Sequence, residues 1–134
     1  MNLHPIVFVL DKPIKKQVIS WQQYDEDIHQ LAKLIKDSGQ RYDVVAGYPR
    51  GGLIIAVHLS HLLKVPYARA TVDSFLAGKT LVCDDISDTG KTLHRITRGT
   101  RKNTATLYRK NKTCFEPQFV VRTVKRWIVF PWEQ

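Results

Sequence analysis

The stretch that decides the fold is Leu81-Val82-Cys83-Asp84-Asp85-Ile86-Ser87-Asp88-Thr89-Gly90-Lys91-Thr92-Leu93. Three apolar residues followed by two acids predict the end of a buried strand that delivers Asp84 and Asp85 to its carboxyl edge. The residues from Asp88 to Thr92 suit a turn that enters a helix, where unpaired backbone amides and the helix dipole favour a phosphate group. We therefore expect the chemistry of the protein just beyond Cys83, because ligands of open α/β sheets bind at that edge.

A nucleotide-triphosphate P-loop is the obvious alternative, since Gly90-Lys91-Thr92 matches the last three positions of that motif. The motif needs a glycine where this chain has Asp85, and a carboxylate there would repel a triphosphate. The order found here is two acids, a short spacer, a third acid and then a phosphate-binding turn. Together with the apolar residues before it, this order closely resembles the phosphoribosyl-pyrophosphate (PRPP) loop of the type I phosphoribosyltransferases.

This resemblance implies a role for each polar residue of the loop. Asp84 and Asp85 would hold the ribose hydroxyls and, through water, the cofactor Mg²⁺ that PRPP chelates with its own oxygens. The turn that follows would hold the 5′-phosphate, and Asp88 would be the catalytic residue that manages the purine proton. The implied PRPP-binding set is Asp84, Asp85, Asp88, Thr89, Gly90, Lys91 and Thr92.

A second strand-turn-helix unit begins at Tyr42-Asp43-Val44-Val45-Ala46-Gly47, which predicts a central strand, and continues as a helix from Leu53 to Leu63. In the turn between them, a glycine pair lets the backbone approach a ligand, and Arg50 is placed to hold an anion at the helix N-terminus. This turn resembles the pyrophosphate loop of the same family, which makes Arg50 and Gly51 the candidate pyrophosphate-binding residues. Family members hold the peptide before the basic residue in the cis form, so the resemblance points to Pro49–Arg50.

The C-terminal segment Lys125-Arg126-Trp127-Ile128-Val129-Phe130-Pro131-Trp132-Glu133 resembles the base-binding hood of 6-oxopurine phosphoribosyltransferases, especially the xanthine-guanine and short hypoxanthine types. In those relatives a lysine after the preceding strand, matched here by Lys110, donates to the purine O6. The aromatic at Trp127 stacks on the purine ring, and Ile128 offers backbone contacts. By residue pattern alone, the aromatic residues of this segment are also compatible with core or interface positions.

The 134 residues predict a single domain, which by resemblance is one phosphoribosyltransferase domain, residues 1–134. Strand-helix alternation predicts an α/β fold with a mostly parallel central sheet and helices on both faces. Met1 to Ile19 predicts an amino-terminal β-hairpin with strands at Ile6–Leu10 and Gln17–Ile19. Residues 109–134 would form the small base-binding hood.

The segment from Val72 to Lys79 departs from the family pattern, because it leads almost at once into the strand at Leu81. Active type I enzymes usually place a longer mobile loop there, which closes over PRPP and excludes water. A site without that cover is expected to bind PRPP while turning it over slowly. Arg69 and Lys79 are the cations near this segment that could contact pyrophosphate instead, although no family position matches either one.

Composition limits the possible partners. Lys and Arg number 21 against 12 Asp and Glu, a net charge of +9 that favours nucleic acid non-specifically and equally concentrates a small phosphorylated substrate. The two cysteines, Cys83 and Cys114, suggest neither a disulfide nor metal-ligand spacing. No long apolar run and no signal pattern is found, so we expect a cytoplasmic protein without a membrane partner.

Two functions follow from these patterns. The first is a purine phosphoribosyltransferase, a pentosyl-transferring glycosyltransferase of purine salvage that joins guanine, hypoxanthine or xanthine to PRPP and releases pyrophosphate. The second is a catalytically weak protein of the same fold that binds nucleotide or nucleic acid as a regulator, which the short loop and the high charge favour. The expected partners are PRPP, a purine base and further copies of the chain in a homo-oligomer, and nucleic acid is the less favoured partner.

Overall fold

The computed structural model describes residues 15–76 and 78–134. Five parallel strands form the central sheet in the order β3-β2-β4-β5-β6, so the predicted α/β class with a mostly parallel sheet is confirmed. Among the described residues, no helix combines the length and the apolar character needed to cross a membrane. The elements in chain order are β1 (Lys16–Val18), α1 (Trp21–Asp37), β2 (Val44–Gly47), α2 (Gly51–Leu63), β3 (Tyr67–Arg69), a 3₁₀ turn (Ser74–Leu76), β4 (Thr80–Ser87), α3 (Lys91–Thr97), β5 (Thr104–Lys110), β6 (Phe119–Val124), β7 (Trp127–Val129) and a second 3₁₀ turn (Pro131–Glu133).

Helices cover both faces of the sheet because successive strand side chains point to opposite sides. Leu81 and Cys83 of β4 pack into a core that also holds the buried residues of α1 and α2. Val82, between them, belongs to a second core on the opposite face, together with Leu93 and Ile96 of α3. The apolar run before the acids is therefore buried on both sides, as a central strand of a parallel sheet requires.

Strand β4 is longer than the sequence predicted. Its pairing with β2 stops at Cys83, but its pairing with β5 continues to Ser87. Asp84 and Asp85 are thus part of the strand and lie beyond the end of β2. Because β4 extends past the end of β2, both acids border an open space at this edge of the sheet, and the candidate site lies there.

The segment predicted as the hood, residues 109–134, contributes strands to two different sheets. Phe119–Val124 belongs to the central sheet, whereas Trp127–Val129 pairs in parallel with Lys16–Val18 in a separate two-stranded sheet. The hood therefore consists of β1, β7 and the final 3₁₀ turn. Ile6–Leu10, the first strand of the predicted hairpin, lies outside the described residues, and the second strand pairs with the C-terminal segment.

A buried acid ties α1 to the sheet. Asp27 is 1% exposed, and its Oδ2 accepts a hydrogen bond from the hydroxyl of Tyr108 in β5. Its Oδ1 accepts from Arg122 Nε in β6 at 3.0 Å and from Gln23 Nε2 at 3.1 Å. The network joins three elements through one carboxylate, so Asp27 has a structural role.

We expect Asp27→Ala to lower the free energy of unfolding by about 3 kcal/mol, because the buried Tyr108 hydroxyl loses its acceptor and Arg122 loses its charged partner. Urea denaturation followed by circular dichroism measures the change. The control is Asp25→Ala in the same helix, where an exposed acid is removed and the change should stay within about 0.5 kcal/mol. Equal losses in the two variants would contradict the assignment.

Candidate active site

The carboxyl ends of β2 and β4 border a cleft of about 740 Å³. The turn after β2, from Tyr48 to Gly51, lines one wall, and Asp84 and Asp85 line another. Thr92 enters from the start of α3, and Trp132 and Glu133 enter from the C-terminal turn. The cleft therefore brings together the two loops that the sequence singled out.

The turn after β2 is anchored to β4 by its backbone. The peptide bond between Pro49 and Arg50 is cis, as the resemblance implied. The amide of Tyr48 donates to the carbonyl oxygen of Cys83 at 3.0 Å. The Arg50 side chain is exposed at the N-terminus of α2 and forms no ion pair with any described residue, so its guanidinium is available to an anion.

The glycine pair after Arg50 brings α2 close to the acids. A Cβ on Gly51 would lie 2.0 Å from Asp85 Oδ2, and a Cβ on Gly52 would lie 2.8 Å from the carbonyl oxygen of Cys83. The Asp85 carboxylate therefore packs against the first turn of α2, where the helix dipole is positive. The sequence attributed this pair to ligand approach, and the structure adds that it makes room for Asp85.

Asp84 and Asp85 concentrate negative charge in the cleft. Each is half-buried and accepts a hydrogen bond from the next backbone amide at 2.8 Å, Asp84 from Asp85 and Asp85 from Ile86. Burial and the neighbouring charge of Asp85 raise the pKa of Asp84 well above its usual range, and burial raises the pKa of Asp85. The pair thus favours a ligand that brings positive charge or hydroxyl donors.

The same pair fits a Mg²⁺ ion that arrives with a phosphorylated substrate. The part of the chain that the structure describes holds no group of three or more His, Cys, Asp or Glu side chains that could enclose a metal ion. Mg²⁺ needs no such group, because it keeps several waters and commonly takes one or two carboxylates plus substrate phosphates. Asp84 and Asp85 can supply the carboxylates of such a donor set.

The turn after β4 forms a small cavity of about 70 Å³ whose lining includes Asp88, Thr89, Gly90 and Thr92. Gly90 has a φ of 87°, which favours glycine, and it is the residue directly before α3. The segment after β5 supports the turn from behind, because the amide of Cys114 donates to the carbonyl oxygen of Thr89 at 2.9 Å. This geometry presents the start of α3 to a small anion.

We expect Gly90→Ala to weaken binding of a nucleoside monophosphate by about tenfold or more, because a Cβ there would lie 2.5 Å from the Phe115 amide nitrogen and the φ is positive. Calorimetry measures the affinity. The matched control is Gly39→Ala, which has a φ of +76° but no atom within 4 Å of the added Cβ. Unchanged affinity in Gly90→Ala, or an equal loss in both variants, would contradict the proposed fit.

Of the predicted base-binding residues, Trp127 and Ile128 lie in β7 of the hood and Lys110 lies at the end of β5, and none of the three lines the cleft. Lys110 Nζ donates to the carbonyl oxygen of Arg126 at 2.6 Å and approaches that of Lys125 at 3.4 Å. Trp127 is 51% exposed, whereas Ile128 is buried. The structure therefore places Lys110 against the backbone just before β7, with part of its donor capacity already used.

The sequence reasoning assigned no role to Trp132 and Glu133, which reach the cleft. Trp132 stacks on Phe130 at a centroid distance of 4.8 Å, and Glu133 Oε1 accepts from the Phe130 amide at 2.8 Å. Pro131 is the first residue of the turn that contains them, and a proline at that position is the sequence signal that β7 has ended and a helical turn begins.

Arg95 is a third residue to which the sequence reasoning assigned no role. Its Nη2 donates to the Tyr48 hydroxyl at 2.9 Å, which links α3 to the turn after β2. The sequence shows that Arg95 follows Thr92 by three residues in the same predicted helix, but it does not show that Tyr48 is its hydrogen-bond partner. This side-chain hydrogen bond therefore ties the helix that follows the β4 turn to the turn after β2.

The segment between β3 and β4 lies against α3. The Arg98 guanidinium is 3.7 Å from Asp73 Oδ1 and 5.7 Å from the centre of the Phe75 ring. Lys79 precedes the amino end of β4, at the edge opposite to the cleft, so it does not reach a ligand there. Arg69 ends β3 beside Gly47, at the same edge as the cleft.

The fold of this chain is similar to that of several solved protein structures. No family model matches the chain. A purine phosphoribosyltransferase from Pyrococcus horikoshii is 33% identical with a TM-score of 0.74, over 90% of this chain and 95% of that chain. A xanthine-guanine-hypoxanthine phosphoribosyltransferase from Helicobacter pylori is 18% identical with a TM-score of 0.75, over 89% and 94%. A hypothetical protein from Neisseria gonorrhoeae with bound ppGpp is 22% identical with a TM-score of 0.78, over 91% of each chain.

Proposed function

The chain belongs to the type I phosphoribosyltransferase family, and we propose that it transfers the 5-phosphoribosyl group of PRPP to guanine, hypoxanthine or xanthine in purine salvage. The observation that supports this most is the cleft, where Arg50, the two adjacent acids and the start of α3 border one space. PRPP carries its groups in a matching order: pyrophosphate, ribose hydroxyls, 5′-phosphate. The cleft offers a complementary partner to each of them.

The charge of each group in the cleft suggests which part of PRPP it binds. Arg50 and the N-terminus of α2 attract the pyrophosphate, and the turn from Thr89 to Thr92 receives the 5′-phosphate. Asp84 and Asp85 accept hydrogen bonds from the ribose hydroxyls and stabilise the positive charge that builds at C1′ as its bond to pyrophosphate breaks. Mg²⁺, bound with PRPP, would neutralise charge on the leaving pyrophosphate.

Asp88 is the residue that we assign to proton transfer. As the C1′–N bond forms, the purine ring nitrogen must lose a proton, and a carboxylate at the ribose end of the site can accept it. Asp88 is exposed and lines the small cavity beside Thr89, and no described side chain or amide forms a hydrogen bond with its carboxylate. Its carboxylate is therefore available to a bound base.

Base recognition is assigned to Lys110, Trp127 and Ile128. We expect Lys110→Met to lower kcat/KM for guanine and hypoxanthine by about tenfold or more without improving adenine, because the O6 acceptor loses a charged donor. The amino group of adenine is itself a donor, so wild-type protein should discriminate against adenine. The control is Lys112→Met, an exposed lysine two positions away. Equal use of adenine and guanine by wild-type protein would contradict this assignment.

Pyrophosphate release tests the proposed function directly. The protein is incubated with PRPP, Mg²⁺ and each purine base in turn, and a base-dependent release of pyrophosphate with nucleotide formation is expected. The absence of base-dependent release from folded protein would reject the proposal.

A catalytically weak binding protein is the second candidate, because the segment between β3 and β4 contacts α3 through Asp73 and Phe75 and is short. Water exclusion strengthens electrostatic interactions and protects a reactive sugar cation, so a site without a lid should lose rate more than affinity. Calorimetry and steady-state rates on the same preparation discriminate the candidates. PRPP or nucleotide binding without turnover favours the second candidate, and turnover typical of efficient enzymes favours the first.

A further inference from the structure

The edge of the sheet opposite to the cleft carries five exposed cations, which we call the basic edge: Lys36, Arg41, Lys64, Lys79 and Lys102. They come from separate parts of the chain, because the amino ends of parallel strands and the C-termini of α1 and α2 meet at this edge. Within residues 15–76 and 78–134, none of the five forms an ion pair. The basic edge is thus a concentration of unpaired positive charge.

Two cavities open on the basic edge, one on each side of the loop formed by residues 39–42. The first, of about 490 Å³, is lined in part by Lys36, Arg41 and Lys64. The second, of about 340 Å³, is lined in part by Arg41, Lys79 and Lys102. Arg41 lines both, so the cations form one continuous surface.

The loop that carries Arg41 is held by side-chain hydrogen bonds. The Tyr42 hydroxyl lies 2.6 Å from Gln40 Oε1 and 2.9 Å from Asn103 Oδ1. The amide of Asn103 in turn donates to Gln118 Oε1 at 2.6 Å. Arg41 therefore stands on a fixed backbone between the two cavities, which reduces the entropy lost when a ligand binds.

Helix-dipole compensation explains only part of this charge. Lys36 and Lys64 lie at the C-termini of α1 and α2, where a cation is stabilising. Arg41, Lys79 and Lys102 have no helix end to compensate, since each lies in a loop before a strand. Two exposed acids adjoin this group along the chain, Asp37 beside Lys36 and Asp43 two residues after Arg41, and the five cations of the basic edge outnumber them.

We propose that the basic edge binds the phosphate backbone of a single-stranded nucleic acid, independently of the cleft. One phosphate group or mononucleotide in either cavity meets three of the cations, whereas a chain of phosphates that crosses residues 39–42 meets all five. A single strand can bend into both cavities. A duplex is stiff over roughly 150 base pairs, so it would contact only the side chains that project from the protein surface. Tyr42, the aromatic residue common to both linings, is 8% exposed, so contacts to phosphate rather than base stacking are expected.

The test is fluorescence anisotropy with a labelled RNA of mixed sequence, roughly 15 nucleotides long, over a series of salt concentrations. For five neutralised phosphates the slope of log K against log salt should be about −3.5. The variant Arg41→Glu/Lys79→Glu/Lys102→Glu should reduce affinity at low salt by about 100-fold or more and flatten the slope by about 2. Arg41→Gln, a milder change to one exposed side chain, should flatten it by about 0.7.

The matched control is Lys15→Glu/Lys16→Glu/Lys112→Glu, which changes the net charge by the same amount at exposed positions away from the basic edge. Its affinity should stay within about threefold of wild type, apart from the general effect of net charge. Equal losses in both triple variants would show that net charge alone attracts RNA and would overturn the proposal. Equal affinity for duplex, or full competition by a mononucleotide, would also overturn it.

Two further measurements separate this surface from the transferase site. Excess PRPP should leave RNA binding unchanged, and the basic-edge variant should retain wild-type pyrophosphate release, because the cleft lies at the other end of the strands. Displacement of RNA by PRPP would overturn the proposal by placing the RNA in the cleft. RNA binding by a protein that proves catalytically inactive would support the basic edge and reject only the proposed function.

Discussion

Asp88→Asn is expected to lower the rate of nucleotide formation by about 10²–10⁴-fold while PRPP affinity changes little. The amide that replaces the carboxylate keeps the size and much of the hydrogen bonding of the side chain, but it cannot accept the purine proton. Since Asp88 is exposed and its side chain forms no hydrogen bond with any described residue, its replacement should not disturb the fold. The loss should therefore appear in kcat rather than in the PRPP dissociation constant.

Steady-state kinetics with guanine and calorimetry with PRPP measure the two quantities on one preparation. Asp37→Asn, which changes another exposed acid, is the control for charge alone. Near-wild-type turnover in Asp88→Asn would remove Asp88 as the base.

Asp84→Asn should produce two effects of opposite sign. Nucleotide formation should fall by about 10²–10³-fold, because one of the two charges that face the developing cation at C1′ is lost. The ligand-free protein should become more stable by about 0.5–2 kcal/mol, because the burial of the Asp84 charge and its repulsion by the adjacent Asp85 carboxylate are both removed. The amide oxygen can still accept the hydrogen bond that the Asp85 backbone amide donates to Asp84 Oδ1 at 2.8 Å.

Thermal unfolding without ligand, paired with steady-state kinetics, measures both effects. Asp88→Asn is the matched control, since it also removes an acid of the site but does not belong to the adjacent pair, and its Tm should stay near the wild-type value. If Asp84→Asn is more stable but turns over slowly, the repulsion between the Asp84 and Asp85 carboxylates lowers stability in a site that needs both charges for catalysis. An unchanged or lower Tm in Asp84→Asn would contradict the repulsion argument.

Much of the local structure was predictable because its causes are local. Leu81-Val82-Cys83 is apolar on both faces of a strand, and the helix that follows Ser20 uses its hydroxyl to accept from the Gln23 amide at 3.0 Å. Gly90 lies where a turn needs positive φ. Patterns of this kind depend on neighbours along the chain, so a single sequence carries them.

The sequence by itself determined the α/β class, the two loops that border the cleft and the acids that they carry. Only the tertiary structure decided how far β4 extends, that Lys16–Val18 pairs with Trp127–Val129, and that Lys79 lies at the edge away from the cleft. Each of these depends on a partner segment far away in the chain. A strand extends as far as at least one neighbouring strand pairs with it, and a side chain reaches a site only if the sheet places it there. Such pairings arise when the whole chain packs, so no local pattern encodes them.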